Sequence, residues 1–184
     1  KLFSVLGRTC DYAFSANSSI KLDPEIKKQT LQWAVIYLDQ PVPARAEKGA
    51  EVLERLLEKN GIAADQVNNY LDKLVERFKA EKGSVNTELR ANLLRASATL
   101  CVQGPWKQEA SKKFRPLFEE SLADDSELVR EAAVDGLINI DKTKALATFR
   151  GKMISDPSTQ VRKKIISLAE EVGNGEDLEW LYER

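Results

Sequence analysis

The sequence predicts an all-α protein, an α-solenoid of about five antiparallel helical hairpins. Residues that break helices recur at short and fairly even intervals, which suit single helices and not strands. Between these breaks the apolar residues fall three and four positions apart, and no stretch alternates apolar and polar residues for long enough to indicate a strand. One stretch of sequence recurs after 32 residues, about the length of two helices with their turns. The short turns predict hairpins, and the recurrence favours a solenoid over a closed bundle.

Breaks and caps define the first five of about ten expected helices, near 2–14, 24–39, 44–59, 64–82 and 85–102. The first ends before the polar break at 17–19. Asp23 and Pro24 open the second, because a capping carboxylate precedes a proline at the first helical position. The third ends at the Asn-Gly pair at 60–61 and the fourth at Gly83, where a left-handed backbone is expected to end a helix. Gly104 ends the fifth.

The remaining helices are expected near 106–123, 126–140, 142–155, 157–172 and 176–184. Pro105 opens the first of these. The second follows the aspartates and serine at 124–126, and the third follows Asp141. The sequence Asp156-Pro157-Ser158 opens the fourth with the same chemistry as Asp23-Pro24. The last helix follows the glycines at 173–175 and continues to the final residue of the sequence.

Two of these helix starts match position for position. One runs Asp124-Asp125-Ser126-Glu127-Leu128-Val129-Arg130, and the other runs Asp156-Pro157-Ser158-Thr159-Gln160-Val161-Arg162. In each, we expect the aspartate and serine to cap the helix, the valine to face the core, and the arginine to reach an adjacent carboxylate. A degraded third copy runs Asn86-Thr87-Glu88-Leu89-Arg90, but it lacks the aspartate and lies 40 residues before Arg130.

The second copy resembles the HEAT-repeat family, in which a D-P-x-x-x-V-R stretch opens the second helix of each hairpin. Asp156, Pro157, Val161 and Arg162 match this pattern fully, and the first copy departs from it by Asp125 in place of proline. The resemblance implies a right-handed superhelix with a hydrogen-bonded ladder between neighbouring repeats. The ladder residues that it implies are Asp124, Arg130, Asp156 and Arg162.

The domain organisation follows from how far this resemblance extends. We expect one α-helical repeat domain over 1–184, with the clearest HEAT-like repeats in 84–184 and divergent or capping hairpins in 1–83. The sequence starts without a methionine and stops in the middle of an amphipathic segment. We therefore expect it to be a fragment of a longer chain.

The composition excludes several kinds of chemistry. No histidine is present, which excludes serine-histidine or cysteine-histidine nucleophiles and histidine-bound metals within these residues. The 28 basic and 29 acidic side chains leave a net charge of −1, so nucleic-acid or membrane-surface binding would need a local patch. Cys10 and Cys101 are too few for a disulfide framework, and no apolar run approaches the length of a membrane span. We expect an intracellular, cytoplasmic protein with no cofactor, no metal and no membrane association.

Aromatic and basic residues supply the candidates for binding a partner. Trp33 falls in the apolar stripe of its helix and is expected in the core. Trp106 and Trp180 are expected to be partly exposed, although packing between helices explains each of them as well. Two basic groups invite a phosphate-binding interpretation, but acidic neighbours favour a solvated face. The candidate partner-binding residues are Trp106, Trp180, Lys112, Lys113 and Arg115, and the second basic group comprises Arg150, Lys152, Arg162, Lys163 and Lys164.

Three functions remain open from the sequence. The first is a non-catalytic helical-repeat module that acts as a protein-interaction scaffold, with another protein or another domain of the same chain as its partner. The second rests on a diffuse likeness of 85–90, 139–146 and 171–178 to the C-terminal helical domain of gluzincin-type zinc aminopeptidases, whose H-E-x-x-H motif would lie upstream. The third is a nucleic-acid binder that resembles the HEAT-like DNA glycosylases, which the overall acidity disfavours.

Overall fold

The computed structural model describes residues 24–58, 62–83, 85–102, 104–150, 155–175 and 177, and all regular structure within these ranges is helical. The described residues form eight α-helices. They are α1 (Pro24–Leu38), α2 (Pro43–Glu58), α3 (Val67–Ala80), α4 (Thr87–Leu100), α5 (Lys107–Ser121), α6 (Glu127–Ile140), α7 (Lys142–Phe149) and α8 (Thr159–Val172). The predicted helices near 2–14 and 176–184 lie outside the described residues.

The helices form two layers of stacked hairpins. Consecutive helices pair as α1 with α2, α3 with α4, α5 with α6, and α7 with α8. The second helices of these pairs then pack in series, because α4 lies between α2 and α6, and α6 lies between α4 and α8. The predicted all-α solenoid is therefore confirmed, with four hairpins in the described part of the chain.

The core lies between the two layers and follows the apolar spacing of the sequence. In α6, Val129, Ala133 and Leu137 are fully or almost fully buried at intervals of four residues, which places them on one face of the helix. Helix α5 contributes Phe114 and Phe118, whose ring centroids lie 6.3 Å apart, and α7 contributes Phe149. These side chains form one continuous core with the buried leucines of α2, α3 and α4.

A close approach between α5 and α6 requires a glycine. The ring of Phe118 packs directly over Gly136, and a Cβ atom at that position would lie 2.5 Å from the ring. Two turn glycines have a different role. Gly83 and Gly104 have φ angles of 77° and 101°, a left-handed conformation that side chains disfavour, and both lie in turns where the sequence predicts the end of a helix.

The structure corrects two expectations about the helices. Trp33 is 43% exposed and is not a core residue, because the buried side of α1 comprises Thr30, Leu31, Ala34 and Leu38. Helix α7 ends at Phe149 and not near residue 155. Gly151 follows two residues later, and glycine disfavours the continuation of a helix. No helix in the described ranges is long and apolar enough to cross a membrane.

The contact between Phe118 and Gly136 yields a prediction. Gly136→Ala should lower the free energy of unfolding by about 1–3 kcal/mol, because the added methyl group overpacks the crossing of α5 and α6. Urea denaturation followed by circular dichroism measures the change. Gly175→Ala is the matched control, because no atom lies within 4 Å of its added Cβ. Equal stability of the two variants would contradict the prediction.

Candidate functional site

A buried ion pair joins α6 to the turn that precedes α8. The guanidinium of Arg130 donates from Nε and Nη2 to the two carboxylate oxygens of Asp156, at 2.8 and 3.0 Å. Both side chains are buried, and the two residues are 26 positions apart in the sequence. The pair therefore forms a bidentate link between consecutive hairpins, with the fork geometry that favours arginine over lysine.

The aspartate of this link also shapes its own turn. Asp156 accepts a hydrogen bond from the backbone N–H of Ser158 at 2.8 Å. Asp124 accepts from the N–H of Ser126 in the same way at 2.9 Å, so the two helix starts share one turn geometry. Ser158 then caps α8, because its hydroxyl accepts from the N–H of Val161 at 3.5 Å.

The arginine is held by its own turn as well. Nη1 of Arg130 donates to the backbone oxygens of Asp124 and Asp125 at 2.9 and 3.0 Å. Arg162 repeats this contact with the backbone oxygens of Asp156 and Pro157. Each of these arginines therefore closes the turn before its own helix. It does so by binding the backbone oxygens of the residues six and five positions earlier in the sequence.

Asp124 binds an arginine that the sequence analysis did not select. Arg90 in α4 donates from Nη1 and Nη2 to the two carboxylate oxygens of Asp124, at 2.6 and 3.1 Å. Leu89 and Arg90 belong to the degraded third copy of the repeated stretch. Because this copy lacks the aspartate, the sequence does not indicate that Arg90 binds a carboxylate of another repeat. Since each arginine binds the aspartate of the following repeat, Arg90 does not need an aspartate in its own turn.

The ladder defined by these contacts consists of two rungs, Arg90 with Asp124 and Arg130 with Asp156. Arg162 contributes no rung within the described part of the chain. Its Nη2 donates to the hydroxyl of Thr159 at 3.1 Å, and no described carboxylate accepts from it. Of the four residues that the HEAT resemblance implies, three thus lie in rungs and one lies where the described ladder ends.

The rung shifts the pKa of both Arg130 and Asp156. Burial disfavours the charged form of Asp156, but hydrogen bonds from Arg130 and from the Ser158 amide, with the charges of Arg130 and Arg162, outweigh it and lower the pKa of Asp156. The hydrogen bond to Asp156 raises the pKa of Arg130. Both groups are therefore charged at neutral pH, and the rung is an ion pair.

Most of the candidate basic residues pair with carboxylates. Lys113 in α5 donates to Asp72 in α3 at 2.6 Å, and Nη1 of Arg115 lies 3.9 Å from a carboxylate oxygen of Glu119. Lys164 in the second basic group lies 2.7 Å from a carboxylate oxygen of Asp135. These contacts reduce the local positive charge that phosphate binding would require.

The other candidate residues differ in their surroundings. Lys112 is exposed and has no described carboxylate partner. Trp106 is half-buried against the core, and its buried indole N–H has no acceptor among the described residues. Trp180 lies outside the described residues, as does Lys152. The described candidates therefore lie on α5 or directly before it, but they do not form one polar cluster. They are Trp106, Lys112, Lys113 and Arg115.

Among the described residues, two surface grooves lie between consecutive second helices, and a third lies between turns that precede second helices. One of about 260 Å³ separates α2 from α4 and is lined by Glu47, Glu51, Asn92 and Arg95 among others. Another of about 290 Å³ lies between α6 and α8, beside Ile138, Gln160, Lys163 and Ser167. The largest, about 900 Å³, separates the turn before α4 from the turn before α6 and borders the rung of Arg90 and Asp124. Their linings mix charged, polar and apolar groups.

Reactive groups do not converge in the described ranges. No three histidine, cysteine, aspartate or glutamate side chains there could hold a metal ion together. Cys101 is buried, and burial raises the pKa of its thiol to about 11. This thiol is therefore protonated at neutral pH.

Arg130 and Arg162 close their turns in the same way, but only Arg130 lies in a rung, so the two arginines should contribute differently to stability. Arg130→Ala should lower the free energy of unfolding by about 3 kcal/mol, because it leaves the buried Asp156 carboxylate without its cation. Arg162→Ala should cost about 1 kcal/mol, because it removes only contacts within its own turn. Urea denaturation of both variants measures the difference, and equal losses would argue against the rung.

The lowered pKa of Asp156 predicts a dependence of stability on pH. A carboxyl group with a depressed pKa in the folded state contributes stability above its unfolded pKa of about 3.9, and this contribution is lost as the pH falls through the folded value. Asp156→Asn should therefore be less stable than the wild type at pH 7, and the difference should narrow below about pH 4. Asp125→Asn is the control, since Asp125 is exposed and in no described ion pair. A gap that stays constant with pH would refute this role.

Comparisons with known proteins agree with this geometry. Residues 110–137, which run from α5 into α6, match the family model described as the HEAT repeat associated with sister chromatid cohesion. No curated protein matches the chain in sequence. Among solved structures, the crystal structure of an engineered protein from the Northeast Structural Genomics Consortium has a TM-score of 0.56 and 16% identity, covering 97% of this chain and 81% of that chain. That likeness shows a common fold, and none of these findings supports the likeness to aminopeptidases. Residues 110–137 are therefore similar to a HEAT repeat, and the all-helical fold of the described residues agrees with that similarity.

Proposed function

We propose that this chain is a non-catalytic HEAT-repeat module that binds another protein, or another domain of its own chain, as an interaction scaffold. The binding surface would be the exposed side of the second helices α2, α4, α6 and α8, which we call the second-helix face. The observation that supports it is the pair of grooves that lie between consecutive second helices, α2 with α4 and α6 with α8. Grooves between stacked repeats suit an extended partner.

The polar character of the second-helix face supports a partner that is recognised by charge and hydrogen bonds. Arg95 of the α2/α4 groove and Lys163 of the α6/α8 groove are both exposed. Carboxylates of Glu47, Glu51 and Glu171 border the same grooves. A complementary pattern of charges on the partner would fix its register along the solenoid.

The basic surface of α5 is a second proposed site, and its support is Lys112. This side chain is exposed without a described carboxylate partner, next to Lys113 and Arg115. Helix α5 belongs to the layer of first helices, so the two surfaces lie on different layers and variants can separate them.

We also propose an intracellular setting, because two cysteines in 184 residues suit a reducing compartment better than a disulfide-stabilised exterior.

Charge reversal tests which surface binds. Arg95→Glu with Lys163→Glu should reduce the amount of bound protein at least tenfold in affinity capture from cell extract, quantified by mass spectrometry, because both exposed cations line grooves. The matched control is Lys107→Glu with Lys112→Glu on α5, which changes the net charge equally. All variants should melt like the wild type, since these four side chains are exposed.

The two variants separate the possible outcomes. Loss of binding in the first pair alone supports the second-helix face, and loss in the control pair alone assigns binding to α5. Unchanged capture by both variants, or no specific capture by the wild type, would contradict the proposed scaffold function.

A further inference from the structure

The groove of about 900 Å³ beside the rung of Arg90 and Asp124 lies outside the second-helix face. It separates the turn before α4 from the turn before α6, and we call it the turn groove. Its volume falls within the range of about 300–1,000 Å³ that is usual for ligand pockets. Beside the rung, its lining includes Phe78, Lys82, Glu120, Asp125, Glu127 and Leu128.

The rung beside the turn groove differs from the second rung in its hydrogen bonds. Arg130 binds Asp156 through Nε and Nη2, and its Nη1 binds two backbone oxygens of its own turn. Arg90 binds Asp124 through Nη1 and Nη2, and none of its hydrogen bonds to described residues reaches the turn before α4. Arg130 therefore connects two consecutive turns, whereas Arg90 leaves the space between its two turns open.

One donor at the turn groove lacks an acceptor. The side chain of Arg90 lines the groove and is only 8% exposed. Its Nε–H is buried and has no acceptor among the described residues, whereas the Nε–H of Arg130 binds Asp156. A buried donor without an acceptor destabilises a structure, so a ligand that supplies an oxygen to this donor removes an existing cost.

The charges of the turn groove favour a cationic ligand. The groove has two cations and four carboxylates in its lining. Each cation already has a partner, because Lys82 pairs with Glu120 and the other cation belongs to the rung. The carboxylates of Asp125 and Glu127 are exposed and take part in no ion pair with another described residue. These two carboxylates attract a cation and repel nucleic acid and other anions.

We propose that the turn groove binds an extended basic segment of a partner protein. A backbone carbonyl of that segment accepts from the Nε–H of Arg90, and a lysine or arginine side chain of the segment pairs with Asp125 and Glu127. The aliphatic part of that side chain packs on Leu128, which is half-buried. A peptide carries a carbonyl and a cation close together, whereas a metal ion or a polyamine supplies only the cation.

Synthetic peptides test the proposal on the full 184-residue chain. The probe is a fluorescein-labelled hexapeptide of alternating alanine and lysine, and fluorescence anisotropy at low ionic strength measures its binding. We expect saturable binding. The same peptide with glutamate in place of lysine should not bind. Spermidine, which carries the same number of positive charges without a carbonyl, should compete at least about tenfold more weakly than unlabelled peptide.

Variants of the lining test the place of binding. Asp125→Asn with Glu127→Gln should weaken binding at least about tenfold, because it removes both uncompensated carboxylates. Ala123→Trp should weaken it to a similar extent without a change of charge, because an indole on this exposed lining residue fills the groove. Asp65→Asn with Glu109→Gln is the matched control, since it neutralises exposed carboxylates outside the groove. All of these variants should melt like the wild type.

Nuclear magnetic resonance tests the contact with Arg90 directly. In an isotope-labelled chain, the Nε–H signal of Arg90 should shift as peptide is added and reach a plateau with the anisotropy. The Nε–H signal of Arg130 is the internal control and should shift much less, because its donor already binds Asp156.

The outcomes separate the proposal from general attraction between charges. An absence of saturable binding, or equal weakening by the groove pair and the control pair, would overturn it. Full competition by spermidine, or an unmoved Arg90 signal at saturation, would also overturn it, since the peptide backbone would then play no part. None of these results bears on the second-helix face, which the capture experiment tests independently.

Discussion

The buried pair of Arg130 and Asp156 sets the constraint on which the stacking of the last repeats depends. Two charges removed from water are tolerated only when each satisfies the other with good geometry, and here two hydrogen bonds of 2.8 and 3.0 Å do so. A shift of α8 by one residue relative to α6 would leave both charges buried and unpaired. The apolar core drives the hairpins together, but leucine and alanine contacts allow several registers. The ion pair selects one of them.

This pair couples local structure to the stacking of repeats. Asp156 shapes the turn before α8 through the Ser158 amide and at the same time binds the preceding repeat, while Arg130 closes its own turn and binds the following one. Each residue therefore connects one turn to another. A repeat that loses its turn geometry also loses its connection to its neighbour, which is the nearest-neighbour coupling that makes solenoids cooperative. The glycine at 136 serves the same register by allowing Phe118 to lie against α6.

The sequence predicts most of the fold, because helix formation here depends on local signals. Apolar spacing and turn residues predict all eight described helices. The glycines among those turn residues, Gly83 and Gly104, have the left-handed backbone that ends a helix. Contacts between distant residues are harder to predict. Trp33 has helical spacing typical of a core residue, yet only the packing partner of α1 decides which side is buried. Lys113 pairs with Asp72, 41 residues away, and no local pattern reveals that pair. The role of Arg90 was concealed because its aspartate lies in the following repeat.

The contacts between helices limit where a partner can bind. Several charged residues already form ion pairs within the fold and cannot also bind a partner. Arg90 and Arg130 lie in rungs, and Lys113 and Lys164 each link two helices. Binding energy for a partner must come from groups that the repeats do not use among themselves. In this chain such groups include Arg95 and Lys163, which line grooves between second helices, and Lys112, which is exposed on α5. A partner can use these side chains without breaking a contact between repeats, because none of them belongs to a rung of the ladder.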